Sequence, residues 1–483
     1  MDLKTLPAKS ANMQVATRCR SALATDMDHL PFSLYSRRSP KNGTPLPDLE
    51  LLDRSAMPWV LDTAERGFTQ WQAFGPEARG DIFTKAAANL KNSLLVDAER
   101  LGAETAKSES EAQGELERAI QTFEWHAEHA RQLAISPNRL EVEACHLEAE
   151  PLGVALAIVP WNYPAVIGAR KICAMLLAGC SVIVKASEIA CSPLFAFRNA
   201  LASAGLPPET LSIILGKGEE VVPSLVASNR VHAVSFTGSS TIGRQISELA
   251  GQHLIKCVTE LGANAPVIVL EGSDVDKTVQ AVVDYKFELA GQSCNAPDRV
   301  FIPSAMWSEF QQAFTLRVQQ LNGPECMLSP MISRQRAEEM QSLVEDALAH
   351  GARLLEGGQR SSPQDNHFPA TLIADVPPAA RIRREEIFGP VLALIPYNSL
   401  ENAIAQANDS EYGFASYVFG PDRQATMKTA RALNSGYVVL NGLSGVHPAL
   451  PVGGIRMSGN GLEGGEMGVR EFMRWRLFRD HTC

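Results

Sequence analysis

From residue 154 onward, short apolar runs rich in β-branched residues return between longer stretches of helical character: Val154 to Val159, Ser181 to Val184, Leu211 to Leu215, Ala233 to Phe236 and Leu254 to Val258. A strand that is apolar at nearly every position is buried on both faces. Helices between such strands place them parallel in a doubly wound sheet. The rhythm then starts again, and Pro266 to Leu270, Val300 to Ile302, Leu392 to Pro396, Tyr417 to Phe419 and Tyr437 to Leu440 predict a second sheet. A chain of 483 residues is too long for one core, so two doubly wound α/β domains are expected, with ligands at the carboxyl ends of their strands.

Ahead of the first run the periodicity is helical. Val60, Ala64, Phe68 and Trp71 share one face, and Ala/Leu-rich segments follow at 82–107 and 111–133. Residues 26–50 are rich in Pro, Ser and charge and read as irregular, so 1–50 is taken as an N-terminal arm. Lys4, Lys9, Arg18 and Arg20 also fit a mitochondrial presequence, but Asp2 and Asp26 and the lack of an apolar core favour a disordered or packing arm and a cytoplasmic protein. Glu356 to Phe368 reads as a loop. The longest apolar stretch, Ile172 to Val184, is broken by Gly179 and falls short of the ~18 residues of a membrane span. The net charge of -10 is spread along the chain, which argues against nucleic acid or anionic membrane as a partner. Nine cysteines with no CxxC pair indicate free thiols, and neither a disulfide framework nor a metal cluster is expected.

Four islands carry the chemistry. Pro160-Trp161-Asn162-Tyr163-Pro164 follows a predicted strand, and Val258-Thr259-Glu260-Leu261-Gly262 ends another. Gly291-Gln292-Ser293-Cys294 lies 34 residues after Glu260, and Glu385-Glu386-Ile387-Phe388-Gly389-Pro390 comes later. A lone cysteine is more often a core residue, and eight of the nine are read that way. Cys294 differs in having a candidate general base to pair with. In this order and at these intervals the islands resemble the aldehyde dehydrogenase superfamily, from about residue 55 to about residue 475.

The resemblance implies NAD-dependent oxidation of a small-molecule aldehyde to a free carboxylic acid. Cys294 would be the nucleophile, Glu260 the base for the hydrolytic water, and Asn162 an oxyanion donor together with the backbone N–H of Cys294. Cofactor residues carried over are Trp161, Lys185, Glu188, Thr237, Gly238, Ser239, Leu261, Glu386 and Phe388. A carboxylate at Glu188 would repel a 2′-phosphate, which favours NAD over NADP. Tyr163, Val166, Arg170, Glu288, Ser293, Asn295, Val446 and Val452 would face the substrate tunnel. Glu288 either disfavours an anionic substrate such as succinate semialdehyde or simply pairs with Arg170.

The implied division is an NAD-binding domain from 51–133 and 151–261, a catalytic domain at 262–455, and an oligomerisation flap with a C-terminal segment from 134–150 and 456–483. A homodimer or homotetramer is expected. The sequence departs from the family where Ala263-Asn264 replaces Gly-Lys, where Val452 replaces an aromatic, and where Arg456 replaces lysine. The second change predicts a wider tunnel. Three rivals stand beside this reading: a CoA-acylating dehydrogenase, disfavoured by the presence of Glu260; a cysteine hydrolase using His232 or His447; and a catalytically silent scaffold.

Overall fold

The computed structural model describes residues 18–20, 30–133, 145–323, 328–362, 364–443 and 447–479. Its two main sheets follow the two series of apolar runs. In the first, Val154–Ile158, Ser181–Lys185 and Leu211–Ile214 lie side by side, while Ala233–Thr237 and Lys256–Glu260 extend the sheet on the other flank of Val154–Ile158. All five are parallel, and the two-residue strand Gly459–Asn460 closes the edge antiparallel to Lys256–Glu260. The strand order therefore reverses between Val154–Ile158 and Ala233–Thr237, and a crevice at their carboxyl ends is the expected ligand position.

The second sheet runs Arg353–Glu356, Thr371–Ala374, Val391–Tyr397, Pro297–Pro303, Ala265–Val269, Ala415–Phe419, Tyr437–Leu440, parallel except at Arg353–Glu356. Its core is drawn from both faces of the strands: Ile268, Phe301, Ala393 and Val418 on one side, Val267, Val300, Leu394 and Tyr417 on the other. Burial on both faces is the reason these runs carry no polar alternation.

Three helices precede the first sheet, Met57–Trp71, Pro76–Thr105 and Glu109–Leu133. Trp71 is fully buried and its indole N–H donates to the Leu176 carbonyl at 2.8 Å. The C-terminal strand Met473–Arg479 pairs antiparallel with Cys145–Pro151. Residues 134–144 of the expected flap lie outside the described residues.

Three expectations need correction. Residues 26–50 are not irregular throughout, because Phe32–Arg38 and Pro45–Leu52 form an antiparallel pair. Their burial is concentrated at Leu49 to Leu52, so most of the pair shows no apolar rhythm. The buried Arg37–Glu104 ion pair, at 2.7 Å, fixes it to the helical layer. The strand expected at Leu254 to Val258 begins only at Lys256, since Leu254 is 95% exposed and adopts φ 54° in the turn before it. Arg353–Glu356 and Thr371–Ala374 were not expected as strands: the first has a charged residue at each end and is largely exposed, so it shows no apolar run, and the second follows closely on the segment read as a loop.

Candidate active site

The nucleophile loop is built against backbone preference. The helix Val275–Phe287 ends at Glu288, and the turn that follows has Leu289 at φ 47° and Ala290 at φ 52°, both left-handed. Gly291, at φ 71°, permits the loop to close on the neighbouring chain, since a Cβ there would lie 2.3 Å from the Gly389 carbonyl oxygen. Side chains hold this shape. Glu111 accepts from the Leu289 N–H at 2.8 Å, and the Gln292 side chain donates to the Leu289 carbonyl and accepts from the Ile332 N–H, at 2.9 and 2.8 Å. Tyr417 donates its hydroxyl to the Asn295 carbonyl at 2.5 Å.

At the end of this loop the half-buried Cys294 thiol donates to Glu260 Oε1 at 3.2 Å. Glu260 is the last residue of its strand and is buried. Burial pushes the Cys294 thiol well up, and the Glu260 carboxylate beside it adds to the effect. Glu260 itself is raised, first by burial and then by the negative charge of Glu463. Asn162 Nδ2 donates to the Gln292 carbonyl at 3.1 Å, which brings the end of the first sheet to the nucleophile loop. The Asn162 carbonyl accepts from the buried ammonium of Lys107.

Behind Glu260 lies a buried polar cluster. Lys171 pairs with Glu463 and donates to Ser235 Oγ at 2.6 Å, and that hydroxyl donates to Glu463 Oε1 at 3.1 Å. Neither Lys171 nor Ser235 was anticipated from sequence. The signal for Lys171 is its position next to Arg170 on the helix Pro164–Ala178 that follows the Asn162 motif.

The tunnel residues Tyr163, Val166, Arg170, Glu288, Ser293, Asn295 and Val452 surround one cavity of about 120 Å³ that reaches Cys294 and Glu260. Val446 lies outside the described residues. Arg118, Ile167, Tyr285 and Phe414 complete the lining and were missed. Phe414 adds an aromatic to the same cavity wall as Val452. Arg170 and Glu288 do not pair. Arg170 Nη2 is drawn to the carbonyls of Leu450 and Glu463, each at 2.9 Å, and Glu288 instead faces Arg118 at 3.6 Å.

The expected cofactor residues gather at the strand ends of the first sheet and across to the second. Lys185 Nζ donates to Glu188 Oε1 at 2.6 Å. Thr237 ends its strand with a buried hydroxyl that has no hydrogen-bond partner among the described residues. Gly238 leads into Ser239, which N-caps the helix Ser240–Gln252 by accepting from the Ile242 N–H at 3.4 Å. Leu261 packs onto Gly243, where a Cβ would lie 2.2 Å from its methyl carbon. Glu386 accepts from the Ala263 N–H at 3.0 Å, and burial pushes its carboxyl up to about 7. A Cβ on Gly262 would sit 2.7 Å from Glu386 Oε2, so a side chain there would displace the carboxylate. Phe388 meets Trp161 edge-on, with ring centroids 6.1 Å apart. A helix N-terminus, an orphaned threonine hydroxyl and a cradle of backbone and carboxylates form a donor and acceptor set that fits a dinucleotide.

The histidines that would serve a hydrolase are committed elsewhere. His232 Nδ1 accepts from the Val154 N–H at 3.2 Å, and His447 Nδ1 from the Ala449 N–H at 3.2 Å. No histidine among the described residues hydrogen-bonds Cys294. Two largely parallel sheets, a thiol on a loop beside a strand-end carboxylate, and a crevice whose donors and acceptors fit a dinucleotide place the chain among dinucleotide-binding α/β enzymes.

The aldehyde dehydrogenase family model matches residues 32–478, and the chain belongs to that family. It is 35% identical to 4-(hydroxymethyl)benzenesulfonate dehydrogenase of Comamonas testosteroni, over 90% of this chain and 92% of that one. To succinate-semialdehyde dehydrogenase [NADP(+)] of Escherichia coli it is 30% identical, with the same two coverages of 90% and 92%. Among solved structures it is similar to betaine aldehyde dehydrogenase of Staphylococcus aureus in complex with NAD+, with a TM-score of 0.89 and 27% identity over 93% of this chain and 94% of that one. The protein is an NAD(P)-dependent aldehyde dehydrogenase. No helix among the described residues is long and apolar enough to cross a membrane.

Proposed function

We propose that the chain oxidises its aldehyde to a free acid through an acyl group on Cys294, and that the 3.2 Å contact between its thiol and Glu260 carries this reading. With both groups raised, the thiolate arises as the thiol proton crosses to the carboxylate, at the moment a carbonyl is in place to take up the sulfur's electron pair. Sulfur adds to the carbonyl carbon, and the resulting oxyanion is met by the Asn162 amide and the Cys294 backbone N–H. Bound NAD(P) supplies the hydride acceptor, and loss of hydride leaves a thioester. Once Glu260 has given up the thiol proton to solvent, its carboxylate takes a proton from the water that attacks the thioester, and that proton passes to the departing sulfur as the acid is released and the Cys294 thiol re-forms. Glu463 and Lys171 act on Glu260 through their charges, the first opposing and the second favouring its ionised form. A base at this position favours hydrolysis over transfer of the acyl group to CoA.

Trp161, Leu261, Glu386 and Phe388 would hold the nicotinamide half of the cofactor, and Thr237, Gly238 and Ser239 the pyrophosphate. Lys185 and Glu188 would take the adenosine ribose, with the Glu188 carboxylate selecting NAD. The ratio of kcat/KM for NAD over NADP is expected to fall about tenfold in Glu188→Gln, a 1.4 kcal/mol effect. Equal use of both cofactors by the wild type would overturn this assignment.

Free thiols at Cys145, Cys173, Cys180, Cys257 and Cys294 fit a cytoplasmic enzyme, with the mitochondrial matrix as the alternative. The strand pair Cys145–Pro151 and Met473–Arg479 would serve as the oligomerisation flap of a homodimer or homotetramer, since it leaves Trp475 and Leu477 44% and 56% exposed. By light scattering, Trp475→Glu is expected to lower the oligomeric mass. A wild-type monomer, or an unchanged oligomer in the variant, would rule out this role.

A further inference from the structure

The outer end of the tunnel carries an ion pair that the chemistry at Cys294 does not use. Arg118 on the helix Glu109–Leu133 faces Glu288 at 3.6 Å, with the two side chains 42% and 30% exposed. A pair this open and this far apart contributes little to stability. The frame around it is nonetheless fixed. Glu111, seven residues before Arg118 and on the same face of the helix, binds the Leu289 N–H next to Glu288. Tyr163 and Tyr285 line the same cavity as Arg118, Glu288 and Cys294.

Two opposite charges held side by side over a mostly apolar cavity discriminate among head groups. An apolar aldehyde would strip water from both charges and return nothing. A purely anionic head group would meet Glu288, and a purely cationic one would meet Arg118. A head group with both charges satisfies both partners at once, its carboxylate on the guanidinium and its ammonium on Glu288. The cavity, about 120 Å³, is somewhat smaller than a cavity of ~150 Å³ that binds benzene, and a short aliphatic stem between head group and aldehyde suits that volume.

We propose that Arg118 and Glu288 form the head-group site of a zwitterionic substrate, an α-amino acid bearing an aldehyde at the end of a short aliphatic side chain. The inference rests on the Cys294 reading above and names the substrate class of that site.

The test is steady-state kinetics on aspartate and aminoadipate semialdehydes beside charge-changed counterparts of matching length: succinate and adipate semialdehydes, and butanal and hexanal. The expected result is that at least one amino-acid semialdehyde exceeds its anionic and neutral counterparts by about tenfold or more in kcat/KM. Glu288→Gln should erase the advantage over the anionic partner, and Arg118→Gln the advantage over the neutral one, with thermal midpoints close to wild type. Preference for butanal or hexanal in the wild type would overturn the proposal. So would a loss of stability in both variants with the substrate ranking intact, which would make the pair structural. Either outcome leaves the Cys294 chemistry standing, whereas a folded protein that oxidises none of the six aldehydes and shows no NADH burst would count against that chemistry itself.

Discussion

Replacing Cys294 with alanine should abolish NADH formation and any ester hydrolysis together, on the order of 10⁶-fold, the loss seen when a covalent nucleophile is deleted from a concerted site. The half-buried thiol's one hydrogen bond among the described residues is to Glu260, so the fold should survive, and thermal unfolding near the wild-type midpoint would show that chemistry alone was lost. An NADH burst in Cys294→Ala would transfer the acyl group to another residue and remove the basis of the mechanism.

Glu260→Gln should separate the two halves of the reaction. The NADH burst reports a single acylation, and the glutamine variant should still release it, more slowly because the thiol must lose its proton without the carboxylate. Hydrolysis needs the base in every cycle, and turnover should fall by ~100-fold or more. The pH dependence supplies a second readout. Because burial and Glu463 raise the Glu260 carboxyl above the ordinary carboxylate range, its basic form is gained as pH rises through that shifted value. Wild-type turnover should therefore fall on the acid side earlier than a free carboxylate would dictate, and Glu260→Gln should lack that limb. Stopped-flow traces with no burst in the variant would show that Glu260 is indispensable to acylation and overturn the separation of the two steps.

How much was legible in the sequence depended on whether a residue's role is local. Asn162, Glu260 and Cys294 each stand in a short motif at the end of a strand or on a turn, and their convergence follows once the strands are parallel. Arg118 and Glu288 are 170 positions apart and Lys171 and Glu463 are 292 apart, and no periodicity links such pairs. The expected pairing of Arg170 with Glu288 failed for a related reason. Two backbone carbonyls near the C-terminus, those of Leu450 and Glu463, capture the guanidinium, and carbonyls leave no trace in side-chain patterns. The strand pair within residues 32–52 was invisible because proline, serine and charge dominate it, and its buried apolar side chains are confined to Leu49, Leu51 and Leu52.

The two left-handed residues before the nucleophile make the active site a late product of assembly. Each non-glycine residue held in that region costs about 1–3 kcal/mol, so the turn at Leu289 and Ala290 is not a shape the segment would hold by itself. Its restraints come from far apart in the chain: Glu111 in a helix of the N-terminal third, Asn162 at the end of the first sheet, and the Ile332 N–H in the second half. A fragment containing Cys294 but lacking the first sheet would keep the sulfur and lose its aim. The thiol becomes a directed nucleophile only when both halves of the molecule have docked, which ties the appearance of a reactive cysteine to the completion of the fold.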